Sequence, residues 1–285
     1  MSAPHANTPA AYGYSHIKGT GKPRTLEAIR WALSAYWANP RVWLCVGLVV
    51  AVLHLLSRIA LSNPVTLVVY DSLIAVARLV LEPLFVSVAL QQTLSKGVHK
   101  LRAPKYVPAL GVLVANRLIV AVLGFVAAFV VSFMVGFVTA AGSGALLVDP
   151  GDPMSGLTLT TRLRIAEVTN WLVMPFALYA VYFAADNAGD FKFSLIQGIK
   201  EGARTYPRTL LLALFNTVIG LLTLLPFRLV AQVDLDRGAA FVLSFFITLL
   251  LLPLTYLATA HAYRHVSGGP AVSYTHLTLP TTPYV

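Results

Sequence analysis

The chain has 285 residues, of which 57% are hydrophobic and only 11% are charged, and its net charge is +10. Soluble domains average about 25% charged residues, so this composition excludes an ordinary soluble domain and favours a chain whose surface faces lipid. The only cysteine is Cys45, which excludes an intramolecular disulfide and a cysteine-based metal site.

The first 24 residues are polar and lack the apolar core of a signal peptide, so they predict a disordered cytosolic tail. Thr25 is then expected to cap an amphipathic helix that runs to Trp37. A second amphipathic helix is predicted from Phe191 to Tyr206. We expect both helices to lie on the inner leaflet, with docking to a partner protein as the alternative. Their apolar faces comprise Leu26, Ile29, Leu33 and Trp37 in the first helix, and Phe191, Leu195 and Ile199 in the second.

Six apolar segments can each cross a bilayer core, which needs about 20 residues. They lie near 42–61, 66–95, 112–140, 167–187, 208–229 and 239–263. The predicted fold class is therefore all-α. It is a polytopic membrane helix bundle of about six transmembrane helices in three hairpins, with the two amphipathic interfacial helices, in one domain over residues 25–271.

Lysine and arginine are distributed unequally about these spans. Fourteen lie before the first span, after the last, or in the 2–3 and 4–5 connections, whereas five lie on the opposite side. The positive-inside rule then places both termini in the cytoplasm of a bacterial cytoplasmic membrane. Topology accounts for the excess positive charge, so a nucleic-acid partner is not predicted.

Proline recurs at matching places in the three hairpins. Each odd-numbered span follows a proline near its cytoplasmic start, and each even-numbered span has one near its middle, at Pro83, Pro175 and Pro253. Prolines inside a span kink the helix and can open a cavity. The pattern indicates three hairpins built on one plan, although proline is also common in membrane helices generally. Gly124 and Gly136 are expected to allow close helix packing.

Three segments resemble one membrane protein family. They are Ala28-Ile-Arg-Trp-Ala-Leu33 with Asn39-Pro40, Ala184-Ala-Asp-Asn-Ala-Gly189, and Pro253-Leu-Thr-Tyr-Leu-Ala-Thr-Ala-His-Ala-Tyr-Arg264. This combination resembles the uncharacterised six-helix integral membrane proteins of actinobacteria, which are related to the membrane domain of some glycerophosphoryl diester phosphodiesterases. The resemblance covers roughly residues 25 to 270 and implies the six-helix fold. It implies no catalytic residue, and the phosphodiesterase domain itself is absent from this sequence.

The segment from Val272 to Thr281 resembles the in-frame translation of an adaptor used to build sequencing libraries. We therefore expect residues 272–285 to be a non-native artefact and the natural C-terminus to be unknown. An ordinary polar tail is the alternative.

The candidate site is an intramembrane polar stripe on the second span. Asp71, Arg78 and Glu82 fall within about 40° of one another on a helix that turns about 100° per residue. Arg78 and Glu82 are spaced to pair as i and i+4. Charges inside a membrane are rare and are usually functional or paired, so the stripe either lines a solute or proton path or holds the helices in register. Arg117 is expected to snorkel to lipid headgroups or to join the stripe.

No catalytic set is visible in the sequence. His54 and His261 stand on apolar helices, and each is read as an interhelical hydrogen-bond donor rather than a ligand. No metal-binding, Walker or Rossmann motif occurs, so we predict no enzyme activity, no metal and no cofactor. The predicted function is a non-enzymatic membrane protein that organises or assists envelope components. The alternative is a small-solute transporter or channel that uses the stripe. The expected partners are the lipid bilayer and other membrane proteins.

Overall fold

The computed structural model describes residues 21–56, 64–94, 106–142, 159–186, 191–233 and 236–267. These residues form nine α-helices and no strand, which confirms the predicted fold class. The predicted artefact at 272–285 and residues 1–20 of the predicted tail lie outside the described residues. The helices are α1 (Thr25–Ala38), α2 (Pro40–Leu56), α3 (Pro64–Leu94), α4 (Tyr106–Gly142), α5 (Leu159–Ala177), α6 (Ala180–Asp186), α7 (Phe191–Arg204), α8 (Tyr206–Val233) and α9 (Arg237–Val266).

Within the part of the chain that the structure describes, five segments are long and apolar enough to cross a membrane, and the pair α1 and α2 could form a sixth. The five segments are Ser72–Leu94, Tyr106–Gly136, Val168–Asp186, Tyr206–Val230 and Arg237–Val266. They coincide with five of the six predicted spans. α2 covers most of the first predicted span, and it meets α1 at an angle of 104°. The chain is therefore a multi-pass α-helical membrane protein.

The mid-span prolines affect their helices differently. α3 continues through Pro83 and α9 continues through Pro253, whereas the span containing Pro175 is divided into α5 and α6. Pro226 lies inside α8, in an odd-numbered span, so mid-span proline is not confined to the even-numbered spans. The alternation predicted from the sequence is therefore incomplete.

Two of the three predicted hairpins pack as pairs. Within the described residues, α4 packs extensively on α5 and α8 packs on α9, but α2 packs mainly on α9 rather than on α3. Gly47 permits this contact, because a Cβ at that position would collide with the carbonyl oxygen of Leu249. Pro253 has no N–H to donate to the Leu249 carbonyl four residues earlier. α2 therefore approaches α9 at a point where the helical hydrogen bonding of α9 is interrupted. Gly124 likewise allows α5 to approach α4, as predicted, since its Cβ position lies 2.5 Å from Asn170 Oδ1.

α1 has two different apolar faces. Ala28, Ala32 and Ala35 are buried against α9. The bulky face predicted from the sequence, of which Leu26 and Trp37 are the most exposed members, is directed away from the rest of the chain. Small residues therefore fix α1 to the bundle and leave its large side chains available to lipid.

The start of α1 differs from the prediction. Thr25 is the first helical residue rather than the cap, and its hydroxyl donates to the main-chain oxygen of Arg208, at 2.9 Å. The end of the predicted tail is also fixed, because Gly21 N donates to the His265 carbonyl at 2.8 Å. Gly21 makes this turn with a φ of 68°, which favours glycine.

α7 packs against the span that is divided into α5 and α6, which we call the broken span. Gly198 and Gly202 face the break, where a Cβ on Gly198 would collide with Ala180 and one on Gly202 with the carbonyl oxygen of Pro175. Leu195 and Ile199, predicted to lie on the apolar face of this amphipathic helix, are half-buried. Phe191, predicted on the same face, is exposed. Glycine therefore brings α7 against the span that is divided into α5 and α6.

Candidate functional site

A buried ion pair joins three helices at one end of the bundle. Arg264 of α9 is 1% exposed and contacts Asp186 of α6, which is 13% exposed, with 2.6 Å between Nη1 and Oδ2. The same carboxylate oxygen accepts from the Tyr263 hydroxyl at 2.9 Å, and Arg264 Nε donates to Thr93 Oγ1 of α3 at 2.8 Å. We call Asp186, Tyr263, Arg264 and Thr93 the junction. Protein groups enclose these charges, so the ion pair holds the packed helices together.

The segments that carry the family resemblance meet around the junction. Asp186 belongs to the second segment, and Tyr263 and Arg264 end the third. Asn39 of the first segment donates to Gln92 Oε1, next to Thr93 in α3, at 2.9 Å. The residues that suggested the family thus lie together in this fold.

A cavity of about 530 Å³ lies among α3, α4, α5, α6, α8 and α9. Its walls include the residue that precedes each predicted mid-span proline, namely Glu82, Met174 and Leu252. Proline interrupts the helical hydrogen-bond ladder and lets the chain bend away from its neighbours. The residues that precede the three prolines therefore line one space, which we call the proline-ringed cavity. Its other polar and aromatic lining residues are Asn116, Arg117, Asn170, Trp171, Tyr182, Asn216, Thr255, Tyr256 and Thr259.

Two asparagine side chains that line the cavity donate hydrogen bonds from their amide nitrogens, whereas their amide oxygens have no partner among the described residues. Asn116 Nδ2 donates to the Ala177 carbonyl at 2.7 Å, at the end of α5 where the helix breaks. Asn216 Nδ2 donates to Thr259 Oγ1 at 3.3 Å. The Oδ1 atoms of Asn116 and Asn216 are buried without a hydrogen-bond partner among the described residues. Buried polar atoms are usually partnered, so these two oxygens lack the donor that such atoms ordinarily have.

The predicted stripe is only partly realised in the cavity. Glu82 lines the cavity and forms an ion pair with Arg117, so Arg117 joins the stripe rather than snorkelling away from it. Arg78 is not among the lining residues, and its Nη2 donates to the Leu53 carbonyl of α2 at 3.1 Å. Asp71 lies within α3, but its side chain is outside the described residues.

An apolar groove of about 390 Å³ adjoins the cavity between α4 and α5. Asn116, Val120 and Ala177 line both spaces. The groove is otherwise formed by aliphatic residues and Phe176, and Ile199 of α7 closes one end. A cavity that contains charged and amide side chains and an apolar groove thus share a wall, an arrangement that suits a molecule with a polar head and an apolar chain.

Sequence reasoning missed the uncharged polar residues of the site. It followed charges, and so found Glu82 and Arg117 but not Asn116, Asn170 or Asn216. A signal was present, because asparagine is costly to bury in an apolar helix without a partner. Asn216 in particular interrupts an otherwise apolar run of α8.

Comparison with protein-family models, with curated proteins and with solved structures finds no match to this chain. The family suggested by the three segments stays a prediction.

Proposed function

We propose that this protein binds the polar headgroup of a membrane amphiphile in the proline-ringed cavity and the apolar chain in the adjoining groove, without catalysing a reaction. The shared wall between the two spaces is the observation that carries the proposal. Both volumes lie in the range of about 300–1,000 Å³ typical of ligand pockets. Such binding is one way in which a non-enzymatic membrane protein could organise envelope components.

The lining favours a headgroup that carries both charge signs or several hydroxyls. Arg117 is 59% exposed and Glu82 is 23% exposed at the side chain, so both can exchange part of their pairing for a ligand. The Arg117 guanidinium matches a phosphate, and the Glu82 carboxylate accepts from ammonium or hydroxyl groups. A phosphoethanolamine headgroup has this combination.

The binding test uses the full chain in nanodiscs. We expect native mass spectrometry to retain phosphatidylethanolamine in preference to phosphatidylcholine, whose quaternary ammonium cannot donate a hydrogen bond. Glu82→Gln and Arg117→Gln should each abolish this preference. Arg78→Gln is the matched control, because it removes a charge from α3 outside the cavity lining. Equal retention of both lipids by all four proteins would overturn the proposal.

A small-solute transporter is the second candidate, and the ion pair exposed in the cavity is the observation that favours it. The two functions differ in what the cavity holds. Uptake of a water-soluble zwitterion into proteoliposomes, lost in Glu82→Gln and unaffected by competing phospholipid, would favour transport over amphiphile binding.

We also propose that the chain lies in a bacterial cytoplasmic membrane with both ends in the cytoplasm, on the strength of its lysine and arginine distribution. Cysteine labelling tests this orientation once Cys45, which is exposed, is replaced by serine. An impermeant maleimide should label Ser155→Cys in intact cells, whereas Ser95→Cys should react only after permeabilisation. The reverse pattern would invert the topology.

A further inference from the structure

A cluster of ligand-type side chains lies where α1 packs on the end of α9. His261 and His265 are one turn apart on α9, and their ring centroids are 4.9 Å apart. Glu27 of α1 brings a carboxylate to the same place. One ligand atom from each of the three residues lies within 4.8 Å of the other two. The sequence showed no carboxylate near His261, but the packing of α1 supplies one.

The burial of His261 points to an external partner. The residue is 3% exposed, and its Nδ1 has no hydrogen-bond partner among the residues that the structure describes. Buried side-chain nitrogens are nearly always partnered. A buried imidazole with an unpartnered nitrogen, beside a second imidazole and a carboxylate, has the surroundings that a metal ligand requires.

The three side chains are of the types that bind borderline divalent cations. Two imidazole nitrogens and one carboxylate oxygen form a common zinc set that leaves a fourth position for water, and the same set suits cobalt and nickel. Tetrahedral bonds of about 2.1 Å place ligand atoms about 3.4 Å apart, so the cluster must contract slightly.

Glu27 can make that movement. Its side chain is 49% exposed, and it pairs with Arg24, which is 60% exposed, at 3.2 Å. An exposed ion pair contributes little to stability, so a divalent cation can displace the Arg24 guanidinium. The half-exposed carboxylate also gives the ion a route to the two buried rings.

We propose that Glu27, His261 and His265 bind one divalent cation of the zinc class, which fastens α1 to the end of α9. None of the three residues lines the proline-ringed cavity, so this proposal is independent of amphiphile binding.

The test uses the full chain in detergent with a purification tag that contains no histidine. Equilibrium dialysis against Zn²⁺ should give one ion per chain, and Zn²⁺ should raise the Tm, because an ion that binds only the folded state stabilises it. Glu27→Gln and His265→Gln should each weaken binding by at least about tenfold, since even residues outside the ligand set affect metal affinity by about 10–100-fold.

The fluorescence of Trp31 can report where the ion binds, because the ring centroid of Trp31 lies 5.1 Å from that of His261. Bound Ni²⁺ should quench the fluorescence of Trp31, and Trp31→Phe should remove most of that quenching while Zn²⁺ still binds. The matched control is Asp236→Asn, which removes a carboxylate at the opposite end of α9, where it caps the helix. This variant should keep the wild-type affinity.

Two results would overturn the proposal. One is the absence of stoichiometric Zn²⁺ binding by the folded wild-type chain. The other is wild-type affinity in both Glu27→Gln and His265→Gln, which would place any bound ion elsewhere, for example on His5 and His16. Because Glu27 is exposed, its substitution tests the site even if the histidine variants fail to fold.

Discussion

Two interhelical ion pairs among the described residues have similar chemistry and opposite surroundings. The Arg264–Asp186 pair of the junction is 1% and 13% exposed at its side chains, and Tyr263 and Thr93 each add a hydrogen bond to it. The Arg117–Glu82 pair is 59% and 23% exposed and lines the proline-ringed cavity. The first pair is enclosed by the fold, whereas the second is accessible to a bound molecule.

This difference shows why a charge in a membrane helix does not by itself identify a binding site. Breaking a buried pair leaves one charge uncompensated, which is strongly destabilising. A buried pair therefore fixes the helices that carry it. A partly exposed pair loses little when one partner is exchanged, so it can serve recognition. We therefore expect substitutions at the junction to affect stability, and substitutions at the cavity to affect binding.

The largest effect should follow Arg264→Met. The substitution leaves the Asp186 carboxylate without its cation inside the packed end of the bundle, which costs about 3–5 kcal/mol. A thermal unfolding assay in detergent should show a large fall in Tm. The double variant Arg264→Met/Asp186→Leu should recover much of this loss. A single substitution with an unchanged Tm would show that the junction contributes no stability.

A smaller effect should follow Gly202→Ala, which adds a methyl group against the Pro175 carbonyl. Overpacking of this kind costs about 1–3 kcal/mol, and it would loosen α7 from the broken span near the junction. Gly220→Ala is the matched control, because an added Cβ there meets nothing within 4 Å. If the two variants unfolded at the same temperature, the close approach of α7 would be refuted.

The smallest change in stability should follow Glu82→Gln. Arg117 is more than half exposed, so loss of the pair should cost less than about 1 kcal/mol. The same substitution should nevertheless abolish headgroup selection, as proposed above. A loss of Tm as large as that of Arg264→Met would remove the distinction between the two pairs.

Most of the fold could be predicted from the sequence because lipid imposes a simple rule on it. A segment must be apolar over about 20 residues to cross the bilayer, and five of the six predicted spans coincide with long apolar helices. The first is shared between α2 and residues outside those described. The bend between α1 and α2 was also foreseeable, since an amphipathic helix precedes Pro40.

The partners of each helix were less predictable. Hydropathy contains no information on which faces meet, so α2 was assigned to α3 although it packs mainly on α9. The positions that decide this packing are small, such as Gly47, and small residues give no hydropathy signal. For Arg117 the sequence left two outcomes open, snorkelling or joining the stripe, because its partner Glu82 belongs to a different helix; the ion pair shows that it joins the stripe.

The contact of α1 and α2 with α9 has a consequence for biosynthesis. α1 and α2 leave the ribosome long before α9, so their small faces stay without that partner until residues near 266 are made. At about 5–20 residues per second, that delay is on the order of 10–40 s. During this time Gly47 and the alanines of α1 are open to other contacts within the membrane, and they are covered only when α9 arrives.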